Sequence, residues 1–294
     1  MITDWFEVLD ARFSALILPN VHVDTLYSGG RWLEGPVYVP AARHLLFSDI
    51  PNNRVLRWDE MTGAVGPFRV PSGFSNGHTL DRAGRVLACE HEARRVVRFE
   101  HDGRVTVMAE AWQGKRLNSP NDLVEGPDGA IWFSDPTYGI STEYEGARAD
   151  SEIGARRVYR LAAPGAVEAM LDDMVQPNGL CFSPDGGTLY VADSGAAPSC
   201  IRAYAMVDGR PAEGRLFHAA ATGFYDGLRC DRLGNVWVAA EEGVDCIAPD
   251  GVLIGRIRLP EVAANLCFGG PARNRLFICA TRSLMAVYLN VTGA

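Results

Sequence analysis

Six side chains with oxygen donors stand at the openings of similar short segments along this 294-residue chain. They are Glu34, Asn76, Asn121, Asn178, Asp226 and Asn265. Carboxylate and amide oxygens without histidine or cysteine suit a hard cation, and this donor set favours calcium over zinc. The two carboxylates would balance the charge of a divalent ion. The pattern therefore indicates a metal site, provided that the fold brings the six positions together.

A simpler interpretation of these openings is a set of turns, because Asn-Gly and Asp-Gly pairs are turn formers. The segments, however, contain separate turns of their own further along the chain. These are Ala83-Gly84, Asp128-Gly129, Asp185-Gly186 and Leu233-Gly234. Since the openings are not needed as turns, their common residue type favours a chemical role.

The residues that follow each opening predict a β-hairpin. In residues 119–139, two short apolar runs flank the turn Pro127-Asp128-Gly129, which is typical of two paired strands. Up-and-back pairing brings Asn121 and Asp135 to the same end of this hairpin. Three other segments also close on an acidic residue: Asp49, Glu90 and Asp193. The last two segments lack such a closing acid.

The openings recur at intervals of 39 to 57 residues. A period near ~40–50 residues with several short strands in each unit is the signature of a β-propeller blade. The sequence therefore predicts an all-β fold, a six-bladed β-propeller. Because the first strand of each blade lines the central channel, the six openings would converge on its axis.

The two ends of the chain predict how the ring closes. The last repeat offers three strand candidates and needs a fourth; the three are residues 265–268, 275–280 and 283–290. Residues 21–28 have the alternation of a strand, so we expect them to complete the last blade and leave no open edge. Residues 1–20 are interpreted as a short lead-in, and residues 1–294 as a single domain.

One repeat carries an extra segment, residues 136–156. It is inserted between the second and third strands of blade three, at the same end as Asn121. We therefore expect it to lie over the channel mouth as a candidate lid, with a surface loop as the alternative. Its two tyrosines, Tyr138 and Tyr144, are interpreted as packing residues.

Composition limits the partners and the compartment. The chain is 47% hydrophobic, and its net charge of −8 without a basic block disfavours nucleic acid and anionic membranes as partners. No signal-peptide pattern and no apolar run near ~20 residues is found, so a cytoplasmic location is expected. The seven cysteines form no C-x-x-C pair, which indicates reduced structural thiols. The oligomeric state stays open.

Several motifs together resemble one protein family. The stretches RWLEGPVY, KRLNSPNDLV, FSDPTYG, QPNGLCFSPDG and YDGLRCD are similar to the gluconolactonase / senescence marker protein (regucalcin) / luciferin-regenerating family. The bacterial gluconolactonases are the most similar members. The resemblance covers nearly the whole chain from Arg31, and it implies a six-bladed propeller with one divalent metal in the channel mouth.

The resemblance also implies particular metal ligands. The family's metal glutamate falls on Glu34 of EGP, its asparagine on Asn178 of PNG and its aspartate on Asp226 of YDG. Asn121 of SPND matches a position that faces substrate and metal together. These four residues are the expected metal site.

Further residues are candidates for substrate binding. Some relatives carry a sugar-binding arginine two residues before the SPND asparagine, where this chain has Ser119, and Arg116 lies near but out of register. His78 lies two residues after Asn76 and His91 follows Glu90, so both are expected near the channel mouth. Histidines in such places often only line a site and make hydrogen bonds to its surroundings. Trp32, beside the EGP motif, is the aromatic residue expected to touch the substrate.

Metal-assisted hydrolysis of a sugar lactone is the function that these residues indicate. The cation, with calcium expected and zinc or manganese as alternatives, would act as a Lewis acid on the ring carbonyl. Calcium activates water weakly, so a carboxylate base is needed; Asp226 is the first candidate and Glu34 the second. Other functions stay open: hydrolysis of a phosphotriester with Asp226 as nucleophile, a calcium-binding regulator, or a propeller scaffold that binds a protein.

Overall fold

Short buried strands joined by tight turns pair into six antiparallel sheets, and together they form a six-bladed β-propeller. The computed structural model describes residues 4–294. The predicted fold class is confirmed. In each blade the strand nearest the axis comes first and the chain then runs outwards. Blade six differs in its outermost strand, which comes from the N-terminal segment.

The first three blades contain four strands each. In chain order they are Leu33–Val39, His44–Asp49, Arg54–Asp59 and Val65–Arg69; Ser75–Leu80, Val86–Glu90, Arg95–Phe99 and Val105–Ala109; and Leu123–Glu125, Ile131–Asp135, Arg157–Leu161 and Val167–Leu171.

The last three blades follow the same order. Their strands are Pro177–Phe182, Thr188–Asp193, Cys200–Val207 and Arg215–Ala219; Leu228–Cys230, Val236–Ala240, Gly243–Ile247 and Leu253–Arg258; and Ala263–Gly269, Arg275–Ala280 and Ser283–Tyr288 with Asp24–Ser28.

The remaining elements are short. They are the strands Phe6–Val8, Ala111–Trp112, Lys115–Arg116 and Arg210–Pro211, the helices Ala11–Ser14 and Tyr138–Ser141, and the 3-10 turns Pro40–Ala42 and Ile50–Asn52. No helix in residues 4–294 combines the length and the apolar character that a membrane crossing requires. All seven cysteines are free, and six of them are buried.

The N-terminal segment closes the ring, as the sequence predicts. Asp24–Ser28 pairs antiparallel with Ser283–Tyr288 and forms the outer strand of blade six. The described part of the predicted lead-in adds a feature that the sequence analysis did not identify. Phe6–Val8 pairs with Leu253–Arg258 as a fifth, outermost strand of blade five.

Glycines directly after four of the openings let neighbouring inner strands approach closely. A Cβ on Gly35 would lie 2.0 Å from the carbonyl oxygen of Asn76, and one on Gly179 would lie 2.5 Å from that of Asp226. A Cβ on Gly77 would likewise meet the backbone of Asn121, whereas one on Gly227 would meet the side chain of Asn265. Only Gly35 of these four has a positive φ, of 51°. The Asn-Gly and Asp-Gly pairs therefore serve blade-to-blade packing rather than turns.

Candidate active site

Five of the six opening residues line one cavity at the end of the channel where the inner strands begin. They are Glu34, Asn76, Asn121, Asn178 and Asp226, and the cavity measures about 290 Å³. Three aromatic side chains, one serine and one further acid complete its lining: Trp32, Tyr138, Phe224, Ser194 and Glu145. The fold thus brings together all four residues expected to bind metal.

The closing acids of the hairpins hold the loops that lead into these positions. Asp193 accepts hydrogen bonds from the backbone N–H groups of Val175 and Gln176, at 2.9 and 2.8 Å, just before Asn178. Asp135 accepts two such bonds from the loop before Asn121, both at 2.8 Å. Asp49 accepts one, at 3.0 Å, from the residue three before Glu34. A buried carboxylate therefore fixes the approach to three of the five cavity positions.

Three oxygen atoms of this cavity lack hydrogen-bond partners within the described structure. Asn76 Oδ1, Asn178 Oδ1 and Asp226 Oδ1 are all buried and unpaired. A buried polar oxygen without a partner is unfavourable by about 1–3 kcal/mol. These three acceptors, together with the Glu34 carboxylate, need an external donor or a cation, and hard oxygen donors are what calcium prefers. The residues present therefore fit a divalent cation.

The charges of the cavity lead to the same conclusion. Burial, with the nearby carboxylate of Asp122 as a second cause, raises the pKa of Glu34 to about 8. The pKa of Asp226 is raised well above its usual range by burial and then by the Glu34 carboxylate. Among the residues that the structure describes, no lysine, arginine or histidine lines this cavity. Two carboxylates buried in one cavity stay ionised together only with a cation nearby; without one, at least one of them takes up a proton.

The sixth opening residue, Asn265, does not line the cavity. Its Nδ2 donates to Asp122 Oδ2 at 3.3 Å, and the same oxygen contacts Arg229 Nη1 at 3.3 Å. Arg229 also lines a second cavity at the opposite end of the channel, together with His78. The Asp122–Arg229–Asn265 group therefore lies between the two ends of the channel.

The two candidate histidines have different positions. His78 does not line the site cavity, and its Nδ1 lies 2.8 Å from Gly35 O, to which it donates. His91 is fully buried behind the cavity, with Nδ1 2.9 Å from Glu145 O and Nε2 3.4 Å from Asn76 Nδ2. Burial lowers the pKa of each ring to about 4, so both are neutral at pH 7. Neither histidine lines the site cavity, and the contacts of both rings are with neighbouring backbone or amide groups.

Trp32 lines the cavity, whereas Arg116 does not. Arg116 is exposed on the short strand Lys115–Arg116, and its Nη2 donates to Ala93 O at 3.2 Å. Ser119 faces the insertion: its hydroxyl donates to Pro136 O at 2.8 Å and accepts from Gly139 N at 3.1 Å. Among residues 4–294, no arginine lines the site cavity.

The sequence analysis missed several cavity residues. Tyr138 was interpreted as packing, but it lines the cavity from the insertion, residues 136–156, as does Glu145. Ser194 follows the closing acid Asp193, and Phe224 stands two residues before Asp226. The predicted position of the insertion near the mouth could have directed attention to its acidic and aromatic side chains.

The fold and the cavity together define a six-bladed propeller with an oxygen-donor site at one channel mouth. Residues 32–282 match the family described as SMP-30/Gluconolactonase/LRE-like region. A gluconolactonase of Zymomonas mobilis is 31% identical, over 96% of this chain and 85% of its own length. The chain belongs to this family, which confirms the resemblance found in its sequence.

Solved structures agree with this assignment. The structure of a Xanthomonas campestris gluconolactonase has a TM-score of 0.92 at 38% identity and covers 97% of this chain and 95% of its own. The structure of a calcium-binding protein, regucalcin, from Agrobacterium tumefaciens has a TM-score of 0.77 at 22% identity, over 93% and 96% of the two chains. The second likeness shows the common fold alone.

Proposed function

We propose that the protein hydrolyses a sugar lactone with the help of one divalent cation bound at the channel mouth. The similarity to a gluconolactonase over 96% of the chain supports the lactone as substrate class. The observation that carries the proposal is the cavity itself, where the buried carboxylates of Glu34 and Asp226 lie with three unpaired buried oxygens, one of which belongs to Asp226. Its volume of about 290 Å³ is at the small end for ligand sites, which suits a single sugar ring.

Glu34, Asn178 and Asp226 would hold the cation, and Asn121 would contact it directly or through water. Calcium fits best because all these donors are oxygens, whereas zinc is usually held by nitrogen or sulfur ligands. Manganese remains an alternative for the same donor set. When bound, the cation would act as a Lewis acid on the lactone carbonyl.

Asp226 is the residue that we assign as general base. Asp226 has two carboxylate oxygens, so one would stay on the cation while the other accepts a proton from an attacking water. One oxygen of Glu34 already accepts from Gly35 N at 2.7 Å, which makes Glu34 the second choice. The water oxygen would then bond to the carbonyl carbon, the carbonyl carbon–ring oxygen bond would break, and the proton held by Asp226 would pass to the leaving ring oxygen, which gives the hydroxy acid.

The side chains around the oxygen donors would bind and shield the substrate. Trp32, Tyr138 and Phe224 supply flat apolar surfaces for the sugar ring, and Ser194 supplies a hydroxyl. The insertion contributes Tyr138 and so covers one side of the cavity. These contacts would exclude bulk water from the reacting carbonyl.

A substrate panel tests this function. Purified protein, with its metal content measured by mass spectrometry, is assayed on five- and six-membered sugar lactones and on a phosphotriester, with and without chelator. We expect lactone turnover above the spontaneous rate, its loss with chelator and its return with calcium. Turnover of the phosphotriester alone would replace the lactone assignment. Metal binding without any turnover would leave a calcium-binding protein.

A further inference from the structure

Glu145 adds a third carboxylate to the site cavity, beside Glu34 and Asp226. It comes from the insertion, residues 136–156, and from no repeated position of the propeller. Among the described residues no cationic side chain lines this cavity, and Arg116 lies outside it on the surface. With one divalent cation bound, three carboxylates would leave the cavity with a net charge of −1.

The backbone at Glu145 is held firmly in place. Its carbonyl oxygen lies 2.9 Å from His91 Nδ1, and the next residues fold back so that Ala147 N donates to Gly139 O at 3.1 Å. Gly139 lies directly against His91, because a Cβ there would be 2.5 Å from that of the histidine. The loop therefore presents Glu145 to the cavity from a fixed position.

The Glu145 carboxylate itself makes no hydrogen bond or ion pair within the described structure, unlike its acidic neighbours in the insertion. Glu143 accepts from Arg148 N at 3.2 Å, and Glu152 accepts from Arg116 N at 2.9 Å. An ionised carboxylate accepts hydrogen bonds and donates none, and each hydroxyl of a sugar lactone can donate one. Burial raises the pKa of Glu145.

We propose that Glu145 selects ligands by charge: it accepts a hydrogen bond from a hydroxyl of a neutral sugar lactone and disfavours anionic ligands. This inference rests on the proposed lactonase function and names the substrate class more narrowly. Lactones that carry a phosphate or a second carboxylate would be rejected. The hydroxy-acid product is also an anion, so the same carboxylate would weaken product binding and assist release.

The substitution Glu145→Gln tests the selection, because glutamine keeps the size and an acceptor oxygen but removes the charge. We expect Glu145→Gln to lower kcat/KM for gluconolactone, because the hydrogen bond to the substrate hydroxyl is weaker, and to raise the ratio of 6-phosphogluconolactone to gluconolactone turnover about tenfold or more, as expected for one unit charge within a few ångströms. In the wild type, added salt should raise the same ratio by screening. Glu143→Gln, an exposed acid of the same insertion, is the matched control and should leave the ratio unchanged.

Binding of gluconate, measured by calorimetry on calcium-loaded protein, gives a readout that does not depend on turnover. We expect Glu145→Gln to bind gluconate about tenfold more tightly than wild type, whereas Glu145→Asp, which keeps the charge, should not. Unchanged turnover ratio and unchanged gluconate affinity would refute the role of Glu145. Absence of lactone turnover in the wild type would instead refute the proposed function, and calorimetry would still decide whether Glu145 excludes anions.

Discussion

Glu34 and Asp226 are both buried carboxylates on one cavity, yet their oxygens have different surroundings. Glu34 Oε2 accepts from the backbone of Gly35 at 2.7 Å, which ties this side chain to its own strand. Asp226 Oδ1 has no partner in the described structure. Glu34 is thus suited to hold the cation alone, whereas Asp226 can offer one oxygen to the cation and the other to a proton. The two acids are therefore expected to fail in different ways when each is replaced.

Replacing Asp226 by asparagine keeps an oxygen donor and the side-chain size but removes the base. We expect Asp226→Asn to lower kcat on a sugar lactone by ~10²–10⁴, the usual contribution of a positioned general base. The measurement is metal-replete turnover with spontaneous ring opening subtracted. The metal content of the variant must be measured alongside, since a weaker site would add to the loss. A metal-replete variant with the wild-type rate would make Asp226 a ligand only.

Replacing Glu34 by glutamine should act mainly on metal binding. A ligand that binds only the folded state stabilises it, by ~2.7 kcal/mol at a hundredfold excess over its dissociation constant. Chelator should lower the melting temperature of the wild type and calcium should restore it, and Glu34→Gln should blunt this response. Asp185→Asn, in an exposed hairpin turn where Asp185 accepts from Ser183 Oγ at 2.5 Å, is the control. Equal calcium responses in the two variants would contradict the assignment of Glu34 as a ligand.

At the scale of the elements, the site depends on how closely the inner strands approach one another. Gly179 lies against the backbone of the next blade, where a Cβ would be 2.5 Å from Asp226 O and 2.6 Å from Gly227 Cα. Backbone atoms cannot rotate away as a flexible side chain can. Any side chain at residue 179 must therefore push blades four and five apart at the position of Asp226.

We expect Gly179→Ala to destabilise the protein by ~1–3 kcal/mol, the usual effect of overpacking, and to weaken calcium binding because Asp226 is displaced. Thermal melting with and without calcium measures both effects. Gly66→Ala is the matched control, since nothing lies within 4 Å of a Cβ at that position and its φ is not positive. Similar melting curves for the two variants would show that the blades can adjust at no cost.

The hairpin pattern was sufficient to predict which residues share the channel mouth, because strand pairing carries Asn121 and Asp135 to one end whatever the rest of the chain does. The pattern was not sufficient to predict how far along the channel each side chain lies. His78 is two residues after Asn76 and faces the axis as well, but ~6–7 Å further along the strand. It therefore lines the cavity at the opposite end.

The contents of the cavity that come from the insertion could not be predicted in the same way. Residues 136–156 contain one helical turn, Tyr138–Ser141, and otherwise no regular element. Their path is set by contacts distant in sequence, such as Asn118 Nδ2 to Ala155 O at 2.8 Å and His91 Nδ1 to Glu145 O at 2.9 Å. Periodicity gives no information about such contacts, so Glu145 was overlooked.

At the scale of the whole molecule, the N-terminal segment joins two blades that are adjacent at the point of closure. Phe6–Val8 extends blade five, and Asp24–Ser28 completes blade six. Between them Phe13 is fully buried, with its ring 5.8 Å from that of Trp237. The strand of blade six was predictable because three strands left an edge open. The three-residue strand of blade five was not, since a blade with four strands is already complete.

Two truncations separate these contributions. Removing residues 1–20 deletes the extra strand and Phe13, whose loss alone is comparable to a buried Phe→Ala change of ~3–5 kcal/mol. Removing residues 1–28 also deletes the closing strand, which opens the ring and exposes the edge of Ser283–Tyr288. We expect both proteins to melt below the full chain, with the second melting lower than the first. Glu34 and the other expected ligands come from different blades, so their positions depend on the closed propeller. The protein without residues 1–28 should therefore also lose its stabilisation by calcium. If the two truncated proteins melt at the same temperature and respond equally to calcium, Asp24–Ser28 does not close the ring in solution.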